Sequence, residues 1–227
     1  MRIGKVLAGL TLAAAGAYAQ TAAPIELAAV PGAGAGGRPA VVVANTGSTT
    51  VTAFAYSSWG ITKGASLKSA PISMLDAAWE PFLSPILPGQ RVTMPFNLPQ
   101  DPAKPAPAVV AVIFADGSSW GDRSCVERMV QHRKYLLQRL TESLQDLQQA
   151  KAQGTDRETL VLELQSNLSG ARAAAADAID RVCVSMARQT VLKNMSGATG
   201  SYPAILQSQI DALSVRLVKL RSYGNLQ

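Results

Sequence analysis

Between Asp116 and Glu127 the chain changes its chemical period, and that change limits what the whole can fold into. Upstream, apolar runs are short and broken by Gly and Pro; downstream, apolar residues recur by threes and fours with hardly a breaker. Val109 to Ala115 is a continuous apolar run of strand length, and Asp116-Gly117 stops it. Ser124 and Glu127, three residues apart, form a capping box that starts a helix. Strand, turn and helix follow one another without a linker, so two architectures meet here. The expected fold class is α+β in two parts, an antiparallel β-sandwich followed by an antiparallel α-helical hairpin or bundle. Its expected boundaries are a leader at 1–19, a sandwich over 20–121 and a helical domain over 122–227.

The first nineteen residues read as a signal peptide. Arg2 and Lys5 make its basic start, Val6 to Gly16 its apolar stretch, and Ala17-Tyr18-Ala19 its small-x-small cleavage site. That apolar stretch is shorter than the roughly 20 residues a spanning helix requires, so the mature chain is expected to carry no transmembrane segment. The expected location is therefore periplasmic or secreted.

In the first half, Ile25 to Val30, Ala40 to Asn45, Thr50 to Ser57, Arg91 to Phe96 and Val109 to Ala115 read as strands, with weaker strand signal within 60–85. Short strands with no helical pattern between them predict an antiparallel sandwich of immunoglobulin type, without the Cys…Trp…Cys framework of antibody domains. Gly32 to Gly37 spells G-x-G-x-x-G, but Val41-Val42-Val43 continues it as a strand, so no helix N-terminus is offered to a pyrophosphate. Gly117-Ser118-Ser119-Trp120-Gly121 matches the nucleophile-elbow pattern G-x-S-x-G. His132, the single histidine, lies 132 − 119 = 13 residues beyond Ser119, too far along a helix for a triad. The motif reads instead as a tight linking turn. Trp120 is expected to pack as an apolar plug between sheet and helix.

The second half reads as helices separated at Gly154, near Ser169-Gly170 and at Ser196 to Gly200, with Thr155 and Glu158 as a second capping box. Residues 20–121 hold five basic and five acidic side chains, and 122–227 hold fourteen and ten, so the net charge left after the leader, 6 − 2 = +4, is all helical. Arg128, Arg133, Lys134, Arg139, Arg181 and Arg188 are candidate contacts for an anionic polymer. Nucleic acid is not expected as a partner, because only Tyr135 lies among them as a stacking aromatic. His132 has no second His, Cys or carboxylate at helical ligand spacing, and the pattern calls for no metal and no cofactor.

Cys125 and Cys183 are expected to form a disulfide, since an exported chain with two cysteines has an oxidising environment and no odd thiol. Each lies 29 residues from Gly154 (154 − 125 and 183 − 154), so two antiparallel arms turning there bring them level. Together these features predict an exported, non-enzymatic structural or protein-interaction protein, with the helical bundle as its association surface and an envelope or secreted protein as its partner. A hydrolase sited near the strand-to-helix hinge and a binder of anionic surface polymer are the alternatives.

Overall fold

The structure, a computed structural model, describes residues 22–30, 40–57, 72–80, 83–94 and 107–223. The expected leader and the Gly32 to Gly37 stretch lie outside the described residues. Seven strands form two antiparallel sheets. The first pairs β1 (Ile25–Val30), β2 (Ala40–Asn45) and β5 (Arg91–Met94), with Leu27 opposite Val43 and Val43 opposite Val92. The second runs in the order β4 (Ile72–Asp76), β3 (Val51–Ser57), β6 (Ala108–Phe114), β7 (Ser119–Gly121).

Period-two alternation sorts the second sheet into unlike faces. Phe54, Tyr56, Leu75 and Val112 share an apolar cluster with Ile25, Val41, Val43 and Met94 of the first sheet. The intervening residues Ala53, Ala55, Ala111 and Ile113 meet Cys125 and Met129 of the first helix. Alanine on that face lets the helix approach closely, so every residue of β3 is buried.

The hinge differs from its predicted form. Asp116 Oδ1 accepts from Ser118 N at 2.9 Å and from its hydroxyl at 2.6 Å, closing a hairpin loop rather than a link. The chain then returns as β7, with Trp120 opposite Val112. Trp120 therefore packs against the cluster between the sheets and not between sheet and helix. Gly121 takes φ 99°, and a Cβ there would lie 2.2 Å from the Val110 carbonyl oxygen. Only glycine fits, and the next residue opens the helix.

The helices are α1 (Arg123–Gln153), α2 (Arg157–Ala173), α3 (Ala178–Val184), α4 (Thr190–Gly197) and α5 (Tyr202–Ser222). A π turn, Ser185–Gln189, joins α3 to α4 without interruption, so the helical region has four rods. Aspartates cap three of them: the Asp122 carboxylate accepts from Cys125 N, Asp156 from Thr159 N, and Asp177 from Asp180 N. Both predicted capping boxes thus shift to a neighbouring aspartate, whose charged oxygen is the stronger acceptor for free N–H groups. Gly154 ends α1 in the left-handed region as its position predicts. No break occurs at Ser169-Gly170; α2 runs through it and stops at Ala174.

The rods alternate in direction. Asn167 of α2 lies 3.5 Å from Asp146 of α1, so α2 runs back along α1. The chain turns again, and α3–α4 runs the same way as α1: Tyr135 meets Asp177, Arg139 meets Asp180 and Arg188 meets Asp146. Arg157, at the start of α2, donates to the carbonyls of Met195, Ser196 and Ala198 and so satisfies the C-terminal end of α4. Helix α5 returns to the sheets. Leu136, Leu140, Leu164, Met195, Leu213 and Leu217 form the core of this bundle.

The expected disulfide is not made. Cys125 and Cys183 are both buried and free. Cys125 lies against the second sheet, while Cys183 lies in the bundle core with its Sγ 3.5 Å from the His132 carbonyl oxygen. His132 is 132 − 125 = 7 residues farther along α1 than Cys125, about 10 Å at 1.5 Å per residue. Counting equal arms from Gly154 fails because α3 does not continue the returning arm; it reverses and runs with α1. Even α2 is displaced from that register, since Asp146 lies 154 − 146 = 8 residues before the turn and its neighbour Asn167 lies 167 − 154 = 13 after it.

Candidate functional site

At the end of β4 the chain turns sharply, and Asp76 becomes the joint between the sheets and the helices. Its carboxylate receives Arg133 Nε at 2.6 Å and Nη2 at 3.0 Å, and also caps the turn by accepting from Ala78 N. Arg133 is 1% exposed; its Nη2 donates also to Thr52 Oγ1, and its Nη1 donates to the Tyr223 carbonyl. The expected anion contact at Arg133 is therefore absent, because its donors are committed inside the protein.

A cleft of about 280 Å³ opens beside this joint. Alternate residues of β4, Ile72, Met74 and Asp76, make one wall. Met129 and His132, one helical turn apart on α1, make the floor, and Val182 and Met186 make the opposite wall. Trp79 and Glu80 close the end, with the Arg216 guanidinium 4.9 Å from the Trp79 ring centroid. Burial lowers the affinity of the His132 ring for a proton; the Asp76 charge opposes this and Arg133 adds to it. Burial, then the Asp76 charge, raises the pKa of Glu80. No side chain among the described residues hydrogen-bonds the His132 ring, so its nitrogens are available to the cleft.

The bundle carries a second polar arrangement. Arg139 makes a bidentate pair with Asp180, at 2.7 and 2.6 Å, and reaches Glu142. Arg188, carried inward on the π turn, pairs with Asp146 at 2.5 Å and with Glu142 at 3.3 Å, leaving its buried Nε without a partner among the described residues. Arg139 and Arg188 thus hold α1 to α3–α4 instead of facing an outside anion. Of the six basic candidates, Arg128, Lys134 and Arg181 remain exposed.

The hinge hydrolase site does not assemble. Ser119 is exposed on β7, whereas His132 lines a cleft on the β4 side. Those strands are opposite edges of a four-stranded sheet, three strand spacings or about 14 Å apart. Among the described residues no cluster of three or more His, Cys, Asp or Glu side chains could hold a metal, and no helix is long and apolar enough to cross a membrane.

Sequence reasoning missed Met74, Trp79, Glu80 and Met186 as neighbours of His132. The helical spacing of Met129 and His132 was visible; the approach of β4 and of the π turn was not. No protein family, curated protein or solved structure matches the chain.

Proposed function

We propose that the chain is a non-enzymatic association protein of an export compartment, an immunoglobulin-like sandwich over 20–121 carrying a helical bundle over 122–227. The leader pattern of Met1 to Ala19 supports export, and the apolar cluster shared by both sheets supports the sandwich. The bundle supplies the association surface. The carrying observation is the outward face of α5, where Ala204, Ser208, Ala212, Val215 and Val218 are exposed and Asp211 alone interrupts them with charge. Val215 is 67% exposed and Val218 66%, one turn apart. Small residues bordering two valines suit close approach by an apolar helix face of a partner protein. The consumption of Arg133, Arg139 and Arg188 in internal pairs weighs against the anionic-polymer alternative.

The test is Val215→Glu with Val218→Glu, followed by affinity co-purification from the native host and by photocrosslinking from position 215. Both side chains are exposed, so the fold should persist. Burying two valines in an interface stabilises it by roughly 2 kcal/mol, and their loss should lower the yield of one defined partner about thirtyfold. Unchanged recovery of every co-purifying protein would refute the α5 surface.

A further inference from the structure

We propose that the cleft beside Asp76 is a binding site for a soft monovalent metal ion, Cu(I) or its analogue Ag(I), held by the thioether sulfurs of Met74, Met129 and Met186 and by the imidazole of His132. The chain has six methionines, and three of them line this one cleft with the only histidine. Met94 and Met195, by contrast, are buried in the cluster between the sheets and in the bundle core. A thioether is a neutral, polarizable donor that attracts soft ions and offers little to Zn(II), Mg(II) or Ca(II). Neutral imidazole completes such a set, and burial keeps the His132 ring in that form at neutral pH.

The surroundings fit the same ion. Met129 is 3% exposed and forms the floor, whereas Met74 is 38% exposed at the rim, which leaves a path from solvent. Ile72 and Val182 make the walls apolar, limiting competition from water. Methionine has three rotatable bonds, so the sulfurs can converge without moving the backbone. A cation entering here meets the carboxylates of Glu80 and of Asp76, the latter already paired with Arg133, and a single positive charge is repelled less by that guanidinium than a divalent ion would be. Cys183 is behind the His132 backbone with its thiol directed at a carbonyl, so it is not part of the set.

The experiment titrates Ag(I) alone, in chloride-free buffer, into full-length protein carrying 13C-methyl methionine and Cys125→Ser with Cys183→Ser. The methyl signals of Met74, Met129 and Met186 should shift together and saturate at one equivalent while those of Met94 and Met195 stay in place. Met186→Leu should weaken Ag(I) binding at least about tenfold, as loss of a direct ligand must exceed the effect of a supporting one. Met74→Leu, at the exposed rim, gives the same reading if the buried variants do not fold. No shift, a shift that never saturates, or movement of all methionine signals alike would overturn the site. If silver binds the unaltered protein but not the double cysteine variant with its fold intact, thiols are the ligands and the site is likewise overturned. The cleft is separate from the α5 face, so failure here leaves the association reading standing.

Discussion

His132 shows how a single side chain makes the fold sensitive to acid. Its ordinary pKa of 6.5 is lowered in the folded protein, chiefly by burial, so the unfolded chain takes up the proton first as pH falls. The stabilisation from keeping it neutral is present above 6.5 and is lost as pH drops toward the lower folded value. The lowered carboxylates, Asp122, Asp156 and Asp180, act in the same direction but start from 3.8, whereas Glu80, raised above 4.5, acts in the opposite direction; the histidine's share between 6.5 and about 5 is the part that its replacement removes. On lowering the pH across that interval, urea midpoints should therefore fall further in the native sequence than in His132→Gln; the same change in both would exclude the histidine as a cause. The helix caps belong to the same scale. Ser124-x-x-Glu127 and Thr155-x-x-Glu158 are proper capping patterns, yet Asp122 and Asp156 do the capping, and Ser124 and Thr159 give their hydroxyls to those carboxylates. Local pattern located these two helix starts to within two residues and left the choice of cap to charge.

Among the elements, α2 is the one whose sequence most understates it. Gly170 sits inside the helix, exposed and without a left-handed backbone, and a Cβ there meets nothing within 4 Å. Alanine should hold the same conformation while restricting the unfolded chain, so Gly170→Ala should stabilise the protein by about 0.5–1 kcal/mol. Thermal unfolding checks this, and a lower midpoint would show that the glycine is needed. The π turn at Ser185–Gln189 has no comparable signature in the residues that form it. What it accomplishes is visible in Arg188, whose guanidinium reaches Asp146 and Glu142. A π turn is a local widening of the helix, stabilised here by contacts that α1 supplies across the bundle, so no local periodicity announces it.

At the scale of the whole molecule, Arg133 and Asp76 bind the two architectures into one body. They come from positions 57 apart, and Tyr223, at the end of α5, adds its carbonyl to Arg133 and its ring to clusters on both sides. Arg133→Met leaves Asp76, with its side chain 14% exposed, short of its counter-charge and should cost about 3–5 kcal/mol in urea unfolding. Adding Asp76→Leu should recover a large part of that loss; if the double variant is no better than the single one, the cost came from packing rather than from a stranded charge.

The sequence by itself determined most of the strands and helices, because alternation by two and by 3.6 is written into neighbouring residues, but not the short strand β7, which reads as a turn, nor the end of α2, which reads as a break near Ser169-Gly170. It also located the change from one to the other near Asp122, and the left-handed turn at Gly154. Only the tertiary structure decided which rods run together. The non-helical residues Ala174 to Asp177 reverse the chain, and that reversal separates Cys125 from Cys183, engages Arg139 and Arg188 in pairs within the bundle, and brings Met186 to His132 and Met74. Direction after a turn depends on which surfaces the whole chain buries, a quantity no short window of sequence contains.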